Sequence, residues 1–191
     1  MTTKNNVLIF HGTEGYPEEN WFPWMKKELE QKGCTVFVPH FPSPPIIPAK
    51  ISEWFDVLKD YEQYIDKNTV IIGHSLGGKF ALRVLEKLTH PIKGVLLVGT
   101  PIGIPPIANN QRDNAFTDNN FNWKKIKNKT RHFVVFQSDN DPYVGLENGK
   151  QLAKNLGVEL SFIQNAGHFN KKAGYTKFEK LLDMVVKILE S

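Results

Sequence analysis

The segment TVIIGHSLGGKFALRVL, residues 69–85, contains a turn that could do chemistry in two different ways. Residues 73–77, GHSLG, fit the pattern G-x-S-x-G, in which a serine between a strand and a helix acts as a nucleophile. Residues 73–79, GHSLGGK, also fit G-x-x-x-x-G-K, the beginning of a phosphate-binding loop. The first interpretation predicts chemistry on an acyl group, and the second predicts a bound nucleotide.

The nucleotide interpretation lacks one of its essential groups. In a phosphate-binding loop, the residue after the lysine supplies a hydroxyl to magnesium. Here that residue is Phe80, which cannot ligate a metal, and the helical pattern places it near the core. Gly78 and Lys79 are then better explained by close packing and by a solvent-facing helix position.

The nucleophile interpretation agrees with the surrounding pattern. The apolar run 69–72 predicts a strand, and apolar residues from Ala81 onward recur at helical spacing. Glycines at 73 and 77 remove side chains that would crowd a sharp turn, and the amino end of the helix places partial positive charge beside Ser75. We therefore predict Ser75 as a nucleophile.

A serine hydroxyl needs a general base, and His168 is the candidate. In an acyl-transfer triad of the order Ser, Asp, His, the base follows the last strand. His168 lies in the segment QNAGHF, residues 164–169, between an apolar run and the last helical pattern. The other five histidines have local structural explanations, although His11 and His74 could line the same site.

Two aspartates compete for the role of the acid that orients the base. Both lie in SDNDPYV, residues 138–144, after the fifth apolar run. A carboxylate there would orient His168 and stabilise its protonated form. Asp141, which precedes a proline at the bend, is the favoured candidate, whereas Asp139 could instead bond to backbone groups of the turn.

An acyl-transfer site also needs two donors for the oxyanion. The first predicted donor is the backbone N–H of Leu76, the residue after the nucleophile. The second should come from the loop HGTEG, residues 11–15, after the first strand. Thr13 N–H is the first choice and Gly12 N–H is the second.

These residues need a scaffold of alternating strands and helices, and the sequence predicts one. Segments rich in apolar residues, typical of strands in a parallel sheet, occur at residues 7–10, 35–38, 69–72, 94–98, 132–136 and 158–163. Helical periodicities centre on residues 21–29, 51–58, 81–88, 146–156 and 178–189. This order predicts an α/β fold with a mostly parallel sheet of about six strands flanked by helices. We expect a single domain over residues 1–191, without a large lid domain.

Two long connections leave the carboxyl ends of predicted strands, where ligands bind in open α/β sheets. One is FPSPPIIPAK, residues 41–50, and the other spans residues 100–122. Both could be functional or plain connections. Apolar residues of the second region could wall a small pocket or form ordinary core: Ile102, Ile104, Ile107, Phe116, Phe121 and Trp123.

Composition excludes several classes of protein. Hydrophobic residues make up 40% and charged residues 23% of 191, and no long apolar run predicts a membrane span. The single cysteine, Cys34, allows no internal disulfide and predicts a cytoplasmic setting. The net charge is +4, and the basic segment NWKKIKNKTR, residues 122–131, is interpreted as solvated surface rather than as a nucleic-acid site.

The ordered set of motifs resembles the α/β-hydrolases, and more narrowly the small serine hydrolases related to retinoblastoma-binding protein nine. The resemblance covers nearly the whole chain and rests on the HG turn, WFPWMKKELEQKG, FPSP, TVIIGHSLGG, SDNDPYV and AGHF. It implies Ser75, Asp141 and His168 as the triad of a compact hydrolase. Residues 100–116, TPIGIPPIANNQRDNAF, match no pattern of the family.

We therefore expect a serine hydrolase that acts on a small-molecule ester or amide, without a cofactor or a metal. The alternative is a non-catalytic interaction protein on a hydrolase scaffold, and an intact triad argues against it. No nucleic-acid or membrane partner is expected.

Overall fold

A computed structural model describes residues 5–43, 50–106 and 118–191. Its strands form a six-stranded sheet in the order β2-β1-β3-β4-β5-β6, and every paired neighbour is parallel. The strands are β1 Asn6–Phe10, β2 Thr35–Phe37, β3 Thr69–His74, β4 Gly94–Val98, β5 Phe133–Gln137 and β6 Leu160–Phe162. The predicted α/β architecture and the predicted number of strands are confirmed.

Helices cover both faces of the sheet. They are α1 Phe22–Gln31, α2 Ile51–Lys59, α3 Leu76–Lys87, α4 Trp123–Lys127, α5 Leu146–Leu156 and α6 Glu179–Glu190. Short 3₁₀ helices occupy Glu62–Tyr64 and Lys171–Ala173. Side chains of α1 and α6 pack in one apolar cluster, and those of α2 to α5 pack in another on the opposite face.

The central strands are continuously apolar because both of their faces are covered. In β3 and β4 every residue is buried, and alternate side chains enter the two clusters. Leu97, for example, packs with α2 to α5, whereas Leu96 packs with α1 and α6. Burial on both sides explains why these strands lack the apolar–polar alternation of a half-exposed sheet.

The strand order creates a crevice at the carboxyl edge of the sheet. The chain moves outward from β1 to β2 and then returns across β1 to β3, so the direction of winding reverses between β1 and β3. Open α/β sheets bind their ligands at such a reversal. Residues 11–15, which follow β1, and Ser75, which follows β3, both lie at this edge.

The structure differs from the sequence prediction at a few boundaries. The strand β3 extends to His74, since its backbone pairing with β4 continues up to the turn. The helix α4 was not predicted, because it has five residues and lies in the basic segment. Of the helices that the structure describes, none combines the length and the apolar character that a bilayer crossing requires.

Candidate active site

Ser75 occupies a sharp turn between β3 and α3. Its backbone has φ 54° and ψ −123°, a conformation that L-residues rarely adopt. The turn is crowded: a Cβ atom on Gly77 would lie 2.3 Å from the backbone oxygen of Phe10, and one on Gly73 would lie 2.4 Å from the Cα of Gly78. Only glycine fits at these two positions. Ser75 itself, at the tip of this turn, is partly exposed.

Neighbouring strands hold Ser75 from both sides. Its N–H donates to the backbone oxygen of Val98 at 2.8 Å, at the end of β4. From the β1 side, Gly12 approaches so closely that a Cβ there would lie 2.8 Å from the Cβ of Ser75 and 3.3 Å from its Oγ. The loop after β1 therefore packs directly against the Ser75 side chain, as the predicted oxyanion loop requires.

Asp141 and His168 form a buried hydrogen-bonded pair. His168 Nδ1 lies 2.7 Å from Asp141 Oδ2, and the exposed fractions of the two side chains are 8% and 0%. The other carboxylate oxygen accepts the backbone N–H groups of Tyr143 and Val144 at 2.9 and 3.0 Å. Because a carboxylate can only accept, Nδ1 carries the proton, and Nε2 of the neutral ring is left as an acceptor.

The predicted nucleophile, base and acid surround one short piece of backbone at the end of β4. Val98 accepts the N–H of Ser75, and the next residue, Gly99, contacts the other two side chains. A Cβ on Gly99 would lie 3.2 Å from His168 Cε1 and Nδ1, and 3.4 Å from Asp141 Oδ2. The fold thus brings all three sequence-predicted residues to the same place.

His74 connects the turn of Ser75 to the backbone of His168. Its Nε2 donates to the carbonyl oxygen of His168 at 2.8 Å, and the two rings are 4.8 Å apart between centroids. Its Nδ1 finds no hydrogen-bond partner among the described residues. Burial lowers the pKa of His74 to about 3, so the ring is neutral at ordinary pH. We interpret His74 as a structural link between the two loops.

His11 shapes the loop that carries the predicted second oxyanion donor. Its Nδ1 donates to the backbone oxygen of Gly12 at 2.8 Å, and its Nε2 accepts the N–H of Phe41 at 2.9 Å. Burial lowers the pKa of His11 to about 4, which agrees with a neutral ring that donates at one nitrogen and accepts at the other. Thr13 follows Gly12 and is half-buried; its donor role stays a prediction, as does that of Leu76.

Asp139, the competing acid, has a different partner. Its Oδ1 accepts the backbone N–H of Asn165 at 2.7 Å. Asp139 therefore bonds to the loop that precedes His168, whereas Asp141 bonds to the imidazole itself. The structure thus gives both aspartates a defined contact, and it places Asp141 where an orienting acid would stand.

Four of the six candidate pocket residues belong to the core or pack against it. Ile102 and Phe121 are buried in the cluster beneath α2 to α5, and Ile104 and Trp123 pack against it with part of their surface exposed. Ile107 and Phe116 lie outside the described residues, as do residues 44–49 of the proline-rich connection. Whether these side chains wall a pocket stays a prediction.

Asn148, a residue that the sequence did not suggest, fixes the beginning of the connection after β4. It is fully buried on α5, where its Oδ1 accepts the N–H groups of Ile102 and Ile104 at 2.9 and 3.1 Å. Its Nδ2 donates to the carbonyl of Ile104 at 2.7 Å. In the sequence, the one indication of this role is the position of Asn148 four residues before Leu152, on the buried face of a predicted helix.

The features expected of a nucleotide or metal site are not combined in the described residues. Phe80 is fully buried against Phe10 and Trp54. Lys79, predicted to face solvent, is instead buried and donates to Asn119 Oδ1 at 2.7 Å. No group of three or more His, Cys, Asp or Glu side chains within residues 5–43, 50–106 and 118–191 could hold a metal ion. That the protein needs no cofactor remains a prediction.

A parallel sheet with this order, with a strained serine after β3 and a histidine–aspartate pair after β5 and β6, defines an α/β-hydrolase. The family model described as "Serine hydrolase" matches residues 7–187. The chain therefore belongs to the serine hydrolase family.

Known relatives agree with this assignment over nearly the whole chain. The protein YdeN of Bacillus subtilis (strain 168) is 31% identical over 182 residues, which cover 94% of this chain and 93% of YdeN. The serine hydrolase RBBP9 of Rattus norvegicus is 29% identical over 195 residues, covering 99% and 98% of the two chains. The crystal structure of the ydeN gene product superposes with a TM-score of 0.90, covering 98% of this chain and 100% of that one.

Proposed function

We propose that this protein hydrolyses a small-molecule ester or amide through an acyl-enzyme on Ser75. His168 acts as the general base and then as the general acid, and Asp141 orients His168. The backbone N–H groups of Leu76 and Thr13 stabilise the oxyanion. The observation that carries the proposal is the 2.7 Å contact between His168 Nδ1 and the buried Asp141 carboxylate, at the piece of backbone that also binds Ser75.

The proton arrangement of the pair supports this division of roles. Because Asp141 holds the proton of His168 on Nδ1, the lone pair on Nε2 can take the proton of the Ser75 hydroxyl during attack on the substrate carbonyl. The protonated ring then gives that proton to the leaving alcohol or amine. A water molecule, activated by the same nitrogen, hydrolyses the ester of Ser75 and regenerates the enzyme.

The carboxylate of Asp141 is fixed in its orientation by the backbone. The N–H groups of Tyr143 and Val144 donate to its Oδ1, so Oδ2 faces His168 Nδ1. Its negative charge in turn stabilises the protonated His168 that forms when Ser75 attacks. A binding protein without catalysis has no need for this arrangement beside a strained serine.

The setting of the reaction is part of the proposal. We place the protein in the cytoplasm, where a lone buried thiol such as Cys34 stays reduced. Its substrates are small molecules, as membership of the serine hydrolase family leads us to expect.

Labelling with a fluorophosphonate probe tests the proposed nucleophile. The probe phosphonylates a serine only when its hydroxyl is activated, so the wild type should be labelled and Ser75→Ala should not. Ser43→Ala is the matched control, since Ser43 lies in the neighbouring loop and accepts the N–H of Glu14. Equal labelling of wild type and a folded Ser75→Ala variant would show that another residue reacts.

A further inference from the structure

The loop that carries Asp141 and the loop that carries His168 are joined along their whole length. We call residues 138–141 the acid loop and residues 165–168 the base loop. Each side chain of the acid loop accepts one hydrogen bond from the base loop. The four bonds run from Asn165 N to Asp139 Oδ1 at 2.7 Å, from Ala166 N to Ser138 Oγ at 2.9 Å, from Gly167 N to Asn140 Oδ1 at 2.7 Å, and from His168 Nδ1 to Asp141 Oδ2 at 2.7 Å.

Only the last of these bonds belongs to the triad. The other three bind consecutive backbone N–H groups immediately before His168, so they determine the path of the chain that delivers the imidazole. That path needs support, since the non-glycine residues Asn165 and Phe169 have φ values of 56° and 52°. Non-glycine residues persist in this region only where surrounding contacts hold them.

Ser138 organises the acid loop for this task. It is fully buried, and its hydroxyl accepts the N–H of Ala166 while donating to Asn140 Oδ1 at 2.8 Å. The same oxygen of Asn140 therefore receives two donors, from Ser138 and from Gly167. The two donors require the oxygen, rather than the NH₂ group, of the Asn140 amide at this point.

Two ring N–H groups complete the support from the opposite side. His74 Nε2 donates to the carbonyl of His168 at 2.8 Å, and Trp21 Nε1 donates to the carbonyl of Phe169 at 2.9 Å. The backbone around His168 is thus bonded through its N–H groups to the acid loop and through its carbonyls to His74 and Trp21. This leaves the imidazole little freedom to move relative to Asp141 and Ser75.

We propose that Asn140 is a positioning residue, which through Gly167 sets the geometry of His168 for catalysis, with Ser138 holding the amide of Asn140 in place. This proposal rests on the proposed function, because it explains the contact between Asn140 and Gly167 by the role of His168 as the general base. Asn140 is exposed and touches neither His168 nor Ser75 in any of these bonds, so its effect is exerted through the backbone.

The test compares Asn140→Ala, which removes the acceptor, with Asn140→Asp, which keeps an oxygen at the same place. We expect Asn140→Ala to lower kcat for p-nitrophenyl acetate about 10- to 100-fold, as small misplacements of catalytic groups do, with KM changed less than about twofold. Asn140→Asp should retain most of the wild-type kcat. The matched control is Asn122→Ala, which removes a similar bond, donated by the N–H of Lys125 on α4 to the Oδ1 of an asparagine.

A spectroscopic readout separates this proposal from the proposed function. The proton on His168 Nδ1, hydrogen-bonded to Asp141, should give a downfield proton NMR resonance whether or not a substrate is turned over. This resonance should broaden or disappear in Asn140→Ala and persist in Asn140→Asp and Asn122→Ala. A missing probe label on wild-type Ser75 would contradict the proposed function, while the resonance would still report on the contact of Asn140.

Several outcomes would overturn the positioning role. An unchanged kcat and an intact resonance in Asn140→Ala would show that Gly167 does not need this acceptor. A rise in KM alone would indicate a substrate contact instead. Equal losses of kcat in Asn140→Ala and Asn122→Ala, in proportion to their losses of thermal stability, would show a general structural effect.

Discussion

The buried, neutral state of His74 leads to a quantitative prediction about stability in acid. Burial lowers the pKa of His74 from 6.5 to about 3. A base whose folded pKa is lowered contributes stability that is fully present above the unfolded pKa. This stability is lost as the pH falls from about 6.5 toward 3, because over that range only the unfolded chain takes up the proton.

The size of the effect follows from the distance between the working pH and the unfolded pKa. At pH 5, about 1.5 units below 6.5, the loss is about 2 kcal/mol at 1.36 kcal/mol per unit. His11 acts in the same direction, since burial lowers its pKa to about 4. Glu19 acts in the opposite direction, because burial raises the pKa of its carboxyl to about 7 and the folded state takes up that proton first. The pH dependence of wild-type stability alone therefore does not give the contribution of His74.

The assay is urea unfolding of wild type and His74→Gln at pH 8 and pH 5. Glutamine can donate a hydrogen bond but takes up no proton. At pH 8 the variant should be less stable, because the ring contacts of His74 with Trp21 and Phe22 are lost. At pH 5 this deficit should be smaller by about 2 kcal/mol, since only the wild type then loses stability by protonation of the unfolded imidazole.

Val185→Ala is the control for this experiment. It truncates a buried side chain of α6 and removes no titrating group, so its deficit should be the same at both pH values. A His74→Gln deficit equally independent of pH would refute the reasoning. It would mean that the folded protein accommodates a protonated His74.

The remaining predictions concern activity. Asp141→Asn should lower kcat by a factor on the order of 10⁴, because the amide oxygen stays bonded to the N–H groups of Tyr143 and Val144 and the NH₂ group then faces His168 Nδ1, which moves the ring proton to Nε2. Asp139→Asn keeps its acceptor for Asn165 and should do much less. Steady-state kinetics of the two variants decide this, and a reversed order of effects would move the acid to Asp139. Because the sequence predicts no lid domain, we expect a shallow site, and short acyl esters should then be hydrolysed faster than long ones. In a shallow site each added methylene stays in water and forgoes about 0.8 kcal/mol of burial. A series of p-nitrophenyl esters from acetate to palmitate checks this, and a kcat/KM that rises steadily through the long chains would instead indicate a deep acyl tunnel.

The sequence predicted the sheet well because its central strands are buried on both faces. The six predicted strand segments correspond to the six strands, and no boundary differs by more than two residues. The order of strands, with β1 between β2 and β3, did not follow from the runs themselves. The strand order is set by how the helices pack on the sheet, and this packing brings together residues that are far apart in the sequence.

Residues whose roles depend on contacts across the sequence could not be predicted. Asn148 looks like an ordinary helix residue until the backbone of Ile102 lies against it, 46 positions away. His74 likewise gains its partner, the carbonyl of His168, from 94 positions along the chain. Motifs with a local geometric requirement, such as the turn around Ser75, leave a signal in sequence that these long-range contacts do not.

Ser75 and His168 are held in place by different kinds of interaction. The position of Ser75 depends on close backbone packing, since glycines at 73 and 77 lie against main-chain atoms with no room for a Cβ. The position of His168 depends on hydrogen-bond acceptors on exposed and buried side chains of the acid loop. Substitution of a glycine beneath Ser75 should therefore damage folding together with activity. Substitution in the acid loop can lower activity while the fold survives, and this is why the acid loop is the place to separate catalysis from stability.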